Sequence, residues 1–536
     1  MEKATAARRS IWAWGRESDE PTDAERRAFA KGLAESWGRE VPVPPAPDLE
    51  AISLRAPRIE IGEALRGFCT ADPHERAVHS RGAHFTERLR AFRGEFPNPP
   101  DWVAHPRNED ELERVLAFCA DHGCTAVPFG GGSSVVYGVA VPEGDRPCIS
   151  LDLGQLTRVL ELDEASRAAR IQAGVLGPAL EEQLRPHGYT LRHFPQSFEW
   201  STLGGWIATR SGGHYATNHT HIDDFVESVR MLTPSGWWES RRLPGSGAGP
   251  SPDRMVIGSE GILGVITEAW MRIQRRPRFR ATAGVSFDRW SDAGDAARGI
   301  AQAKLWPANL RLLDPGEARN AGMEGSQALL ILGFESAELP QEANMQQAIG
   351  IARACGGQVE DDQIRFSDSE ARATGREGAV GAWRSAFIGV GRTLNLITGL
   401  GLVADTFETA ITWDRWPDFD REVRDRVERA LREAAGGGSL TCRFTHVYPD
   451  GPAPYYTFST RGSPGGEIEQ WQQIKSAATD AVIDAGGTVT HHHAVGRMHR
   501  EGYDRQRPEL FARALRAAKR ELDPGAILNP GVLIDP

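Results

Sequence analysis

Pro128-Phe129-Gly130-Gly131-Gly132-Ser133-Ser134-Val135 follows the β-like run Thr125-Ala126-Val127, and it decides how the rest of the chain is read. Three consecutive glycines permit positive φ and let the backbone come close to a ligand. Successive N–H groups can then converge on an anion, and two serine hydroxyls add donors. The stretch is neither Gly-x-Gly-x-x-Gly nor a P-loop with its following lysine. On its own it reads equally as a tight structural turn or as a cradle for phosphate or pyrophosphate.

Two later clusters shift the balance. One is Pro195-Gln196-Ser197-Phe198-Glu199-Trp200-Ser201-Thr202-Leu203-Gly204-Gly205-Trp206-Ile207-Ala208-Thr209. The other is Ile257-Gly258-Ser259-Glu260-Gly261-Ile262-Leu263-Gly264-Val265-Ile266-Thr267-Glu268. Each mixes paired glycines, small residues and hydroxyls, which suits close packing of backbone against a flat ring and a diphosphate. Three such clusters in this order favour the cradle.

The flanking texture is α+β. Leu112, Val115, Leu116 and Cys119 recur at helical spacing within Asn108–His122, behind an acidic first turn. Thr125–Phe129, Cys148–Leu153 and Ala169–Ala173 read as strands, Pro178–His187 as a helix, and the unit ends near Arg276-Pro277. Residues 1–97 read as a polar, then proline-rich arm with a helical lead-in, closed by Pro97-Asn98-Pro99-Pro100. A second unit begins at Arg278, with strands at Leu310–Leu313, Ala328–Leu332, Thr441–Tyr448 and Tyr455–Ser459. Its helices fall at Gln341–Cys355, Phe419–Ala435 and Glu467–Ala485. Thr488–His493 follows; if Thr490–His493 is extended, His491 and His493 point one way and His492 the other.

At 536 residues the chain needs two or three packed units. Its net charge of -11 argues against nucleic acid as a general partner. Six cysteines without Cys-x-x-Cys spacing read as reduced thiols. No secretory leader, bilayer-length apolar run or peroxisomal Ser-Lys-Leu ending is present, so the expected location is cytoplasmic, with peripheral membrane contact left open.

The order of the three clusters, "PFGGGSSV", "STLGGWIATRSGG" and "GSEGILGVITEA", resembles the PCMH-type FAD-binding domain of the vanillyl-alcohol-oxidase-type flavoproteins. The resemblance implies that residues 98–277 form two α+β subdomains with FAD between them. Residues 278–485 would then form an α+β cap for the substrate, and 486–536 a C-terminal, partly helical segment returning to the FAD domain. It also implies that Pro128, Phe129, Gly130, Gly131, Gly132, Ser133, Ser134 and Val135 hold the pyrophosphate. Pro195, Ser197, Ser201, Thr202, Gly204, Gly205 and Thr209 would line the flavin, and Glu260, Gly261, Gly264, Val265 and Ile266 would complete the pocket. Some relatives attach FAD through a histidine in the first loop; Ser133-Ser134 stands here instead, which implies a non-covalent flavin.

Five more segments resemble the alkyldihydroxyacetonephosphate synthase branch: Trp12-Ala13-Trp14-Gly15, Asn309–Asp314 ("SIRLMD"), Thr406–Arg415 ("SFETSAPWDR"), Thr441–Tyr448 ("TCRVTQTY") and His491–Arg497 ("HHHGVGKLR"). That branch exchanges the acyl group of acyl-dihydroxyacetone phosphate for a long-chain alcohol, giving an ether lipid precursor without net redox change. A homodimer is a further family-level expectation. The chemistry needs a base for a C1 proton, a group to manage the leaving carboxylate, and cations for phosphate.

The resemblance nominates His492, in the run His491-His492-His493, as that base, because imidazole titrates near neutral pH. A zinc site is the competing reading, disfavoured because no carboxylate or cysteine stands at ligand spacing nearby; no metal is expected. One functional histidine with two structural neighbours is also compatible with the run. Tyr455 matches the family tyrosine acting on the leaving acid, and His193 a family histidine near the flavin. Arg311 reads either as a phosphate or carboxylate grip or as a buried ion pair with Asp314. Arg392 is a further candidate active-site arginine, and Gly381–Gly401 reads as a gate over a lipid tunnel or as a plain loop. The segment Gly213–Asp224 departs from the family's "SGMKKNIYGNIEDL" by losing its lysines. The alternative function is an FAD-dependent oxidase or dehydrogenase of a 2-hydroxy acid or related alcohol, since one fold hosts several chemistries.

Overall fold

The computed structural model describes residues 8–213, 221–323, 325–369, 380, 381 and 389–535. Three main sheets surround one cavity. The first holds β1 (Cys69–Thr70), β2 (Trp102–Ala104), β3 (Thr125–Phe129) and β4 (Cys148–Asp152) in the order β1-β2-β4-β3, with β2, β4 and β3 parallel. The helix Glu109–His122 covers it. Asn108 caps its start by accepting from Glu111 N, three acidic residues complement its dipole, and Gly123 (φ 64°) ends it. Its apolar stripe buries Leu112, Val115, Leu116 and Cys119 in the same core as Ile149 and Leu151. Because β1 pairs with β2, this sheet draws its edge from within residues 1–97, ahead of the boundary read from the proline cluster.

The second sheet is antiparallel: β5 (Val159–Asp163), β6 (Ala168–Gln172), β8 (Val226–Thr233), β9 (Gly236–Glu239) and β10 (Val265–Arg272), in the order β5-β6-β10-β8-β9. A two-stranded ribbon, β7 (Tyr189–Thr190) with β11 (Gln274–Arg275), closes this unit.

The third sheet has seven antiparallel strands: β12 (Phe279–Phe287), β13 (Asn309–Leu313), β14 (Ala328–Ser336), β15 (Arg365–Ser367), β16 (Leu402–Glu408), β17 (Ser439–Val447) and β18 (Pro452–Arg461). Their order is β15-β12-β14-β13-β17-β18-β16. Alternation sends Leu310, Leu312, Val403, Phe407, Phe444, Tyr456 and Phe458 into the core shared with the helices Trp416–Ala435 and Glu467–Asp484. The intervening residues, Arg311 on β13, Thr406 on β16, Arg443 on β17 and Tyr455 on β18, face the cavity.

The C-terminal stretch packs back on the first two units. Val495, Val532, Leu533 and Ile534 enter the core of the second sheet, and Ile527 and Leu528 that of the first. Thr490–His493 is a bend, not extended. Near the N-terminus Trp12 packs edge-on against Phe92 at 5.0 Å, and Asn395 bonds both the N–H and the C=O of Trp14. Asn395 lies in the helix Val390–Ile397, so the latter part of the suggested gate is a helix tied to the N-terminal arm rather than a loop. Residues 382–388 of that stretch, and 214–220 of the departing segment, lie outside the described residues. Among the described residues no helix is long and apolar enough to cross a membrane.

Candidate active site

A cavity of about 650 Å³ lies where the three sheets meet, and a second of about 100 Å³ lies under the glycine loop. Gly130, Gly131, Gly132, Ser133, Ser134 and Val135 line the larger, and Pro128 and Phe129 the smaller. From the second cluster Pro195, Ser197, Ser201, Thr202, Gly205 and Thr209 line the larger cavity and Gly204 the smaller. Glu260, Gly261, Gly264 and Ile266 line the smaller. Val265 does not; it pairs with Leu232 and packs in the core of the first sheet.

The glycines are required by close approach. A Cβ on Gly131 would stand 1.6 Å from the Trp200 carbonyl oxygen, and one on Gly204 2.8 Å from the Ala173 Cβ. The first loop and the second cluster therefore pack backbone against backbone, leaving a groove edged with amides and hydroxyls. That donor set fits a flat ring and a diphosphate. Glu260 holds the C-terminal return in place: its carboxylate accepts from Val495 N (2.9 Å) and Gly496 N (2.7 Å), while burial pushes its pKa up to about 7.

The opposite wall carries Arg311, Arg443, Thr445, His446, Tyr455, His492 and His493. Tyr455 donates to Thr406 Oγ1 at 3.1 Å, and the Arg443 guanidinium lies 4.1 Å from its ring centroid. Arg443 also donates to Glu317 at 2.9 Å. Asp314 accepts from Arg424 (3.0 Å) and from the Glu317 and Cys442 amides, and Arg311 is buried on the cavity wall.

The bend at the histidine run has one cause. Glu408, at the end of β16, accepts from the backbone N–H groups of His491, His492 and His493 and from the Thr490 hydroxyl. Three successive amides can converge on one carboxylate only if the strand turns. Burial alone would push the Glu408 carboxyl up; the imidazoles, His492 foremost, and the Thr490 hydroxyl hold it well below the usual carboxylate range. Burial drives His491 down to about 3 and lowers His492 and His493 as well, so all three rings are neutral proton acceptors near pH 7.

His446 reaches the cavity through a β-bulge between Phe444 and His446, which turns it onto the face of Arg443 and Thr445. One nitrogen each from His446, His491 and His492 lie within 4.8 Å of one another, close enough to share a cation. The expectation of no metal site rested on local spacing, and it could not count a ligand from another strand. Asp405 on β16 joins the wall, held by Lys475 at 3.1 Å and His84 at 3.5 Å.

Three residues nominated for catalysis do not line the larger cavity. His491 stands beside His492, its Nδ1 3.1 Å from His492 Nδ1 and its Nε2 2.7 Å from Tyr448 Oη. His193 is buried behind the wall, 3.2 Å from Ser211 Oγ and 5.1 Å from the Trp206 ring; burial takes it down to about 3, so it acts as a neutral packing partner of the second cluster. Arg392 projects from its helix into solvent and pairs with Glu25. Glu408, His446, Tyr448 and Asp405 were not nominated. Glu408 and Tyr448 lay inside quoted segments, but their partners are dozens of residues away.

Comparison with known proteins agrees with this arrangement. The family "FAD binding domain" matches residues 100–240, and "FAD linked oxidases, C-terminal domain" matches residues 276–533. The alkyldihydroxyacetonephosphate synthase of Dictyostelium discoideum is 28% identical over 91% of this chain and 83% of its own. The enzyme of the same name from Caenorhabditis elegans is 28% identical over 86% and 80%. A solved alkyldihydroxyacetonephosphate synthase superposes with a TM-score of 0.77 at 24% identity, covering 94% of this chain and 90% of that one. The two matched domains place the chain in the superfamily of vanillyl-alcohol-oxidase/PCMH-type FAD-binding flavoproteins, with FAD as its cofactor, and over most of its length it is similar to the alkyldihydroxyacetonephosphate synthases.

Proposed function

We propose that this protein is a flavin-dependent transferase that exchanges the acyl group of acyl-dihydroxyacetone phosphate for a long-chain alcohol, with FAD held non-covalently. The observation that carries the reading is a single cavity in which a glycine-edged groove faces Arg311, Tyr455 and His492, with Val390, Leu394 and Ile397 lining an apolar side. The glycine clusters and the hydroxyls of Ser134, Thr202 and Thr209 would hold the flavin and its diphosphate. Bound FAD supplies a ring that can bond to, or take electrons from, the substrate carbon.

The protein's own residues provide the rest. Arg311 gives the substrate phosphate a cation matched to two oxygens at once. His492, neutral and on the wall, takes the C1 proton. Tyr455, whose phenol burial keeps protonated despite the Arg443 charge, donates a hydrogen bond to the departing carboxylate. The apolar side chains of the helix Val390–Ile397, with Phe29 of the N-terminal arm, cover an alkyl chain. The reaction balances as acyl-dihydroxyacetone phosphate plus alcohol giving the alkyl ether and a fatty acid.

Incubation with palmitoyl-dihydroxyacetone phosphate and hexadecanol tests this. Palmitate and ether product in equal amounts support it. Oxidation of a 2-hydroxy acid with bleaching of the flavin, and no ether, would replace it with the oxidoreductase reading.

A further inference from the structure

The hydrogen bonds behind the histidine run fix the proton on each ring. The Arg210 carbonyl can only accept, and His221 Nδ1 lies 3.2 Å from it, so that nitrogen carries the proton. In a neutral ring Nε2 is then an acceptor. Tyr448 Oη stands 2.9 Å from it and donates. Tyr448 has one O–H, so its second contact, to His491 Nε2 at 2.7 Å, is one it accepts, and His491 carries its proton on Nε2. That leaves His491 Nδ1 as a lone pair. It lies 3.1 Å from His492 Nδ1, which must donate. An independent contact agrees: the Glu408 carboxylate stands 3.4 Å from the same His492 Nδ1 and favours a proton there. Among the described residues, His492 Nε2 is left as a lone pair on a ring that lines the cavity.

We propose that His221, Tyr448 and His491 form one directional hydrogen-bond relay that holds His492 in its Nδ1–H tautomer and so sets His492 Nε2 as the cavity's acceptor. The proposal rests on the reading of His492 as the base. Tyr448 and His221 touch no substrate in this scheme and are positioning residues.

The relay was not visible along the chain. His221 stands where the related "GNIEDL" segment has asparagine, and its partner Tyr448 is 227 residues away.

The test uses FAD-loaded, EDTA-treated protein labelled with ¹⁵N at histidine, observed by long-range ¹H–¹⁵N NMR at neutral pH. Resonances are assigned by their loss in His491→Gln and His492→Gln. The expected result is a proton on Nδ1 of His492 and on Nε2 of His491. In Tyr448→Phe the FAD content stays the same and the His491 ring becomes a tautomer mixture. Turnover falls on the order of ten- to hundred-fold with KM within about two-fold. His221→Asn repeats the effect from the far end. A wild-type His492 protonated on Nε2, or both variants retaining wild-type tautomers and kcat, overturns the relay. The NMR result needs no substrate, so a failure of the transferase reading leaves this test intact.

Discussion

Glu408 and Tyr455 are direct partners on neighbouring antiparallel strands, and Arg443 is the next residue abreast on the far side of Tyr455. One rung of the third sheet therefore carries the anchor of the histidine run, the proposed acid and a cation in a row. The Tyr455 ring lies 5.9 Å from His492 and 5.4 Å from His493, so the proposed acid and base are held together through Glu408, which strand register pairs with Tyr455 and which anchors the bend of the histidine run.

Tyr455→Phe keeps the ring, the stacking under Arg443 and the packing, and removes only the hydroxyl. FAD content and melting temperature should stay close to wild type. Steady-state kinetics should show kcat reduced by about 10²-fold with little change in KM, the usual scale for loss of one acid–base group. Unchanged kcat would remove Tyr455 from the chemistry.

Arg311 and Arg392 were nominated on similar grounds, and the structure separates them. Arg311→Gln should raise KM for the phosphate-bearing substrate at least ten-fold, because a charge-assisted pair is lost from a buried wall. Arg392→Ala should change kcat/KM less than two-fold, since the residue meets Glu25 in solvent. Kinetics on the two variants side by side decide between these placements.

Gly131→Val should abolish flavin binding. Its Cβ would overlap the Trp200 carbonyl, so the loop must leave the second cluster and open the groove. The ratio of flavin to protein absorbance reads this directly; a fully yellow variant would contradict the cradle.

Acid should destabilise the protein well before its carboxylates titrate. His193, His491 and His499 are each brought down to about 3 by burial, whereas an unfolded histidine titrates near 6.5. Below about pH 6.5 the unfolded chain binds more protons, so stability is fully present above that pH and is lost as pH falls towards 3. Urea unfolding between pH 7 and 5 should show this slope. His499→Gln should reduce it by about 1.4 kcal/mol per pH unit.

Much of this was legible along the chain, for physical reasons. The helix Glu109–His122 announced itself through its cap, acidic first turn and apolar stripe. The glycine clusters did so because no other residue tolerates such close backbone approach. The cavity wall was harder. His446 is aimed by a bulge, which has no signature in composition. The bend at Thr490–His493 is imposed by Glu408, more than eighty residues earlier, so local pattern could not reveal it. Val265 follows the same alternation as its β10 neighbours and goes to the core, a distinction that only the sheet register supplies.

The central claim is group transfer without net redox change. Its most direct test is anaerobic incubation of the FAD-loaded protein with palmitoyl-dihydroxyacetone phosphate and labelled hexadecanol, with the flavin spectrum followed throughout. Label recovered in alkyl-dihydroxyacetone phosphate, with the flavin oxidised at the end and His492→Ala inactive but yellow, is the predicted result. A flavin left reduced, with no labelled ether, would contradict it.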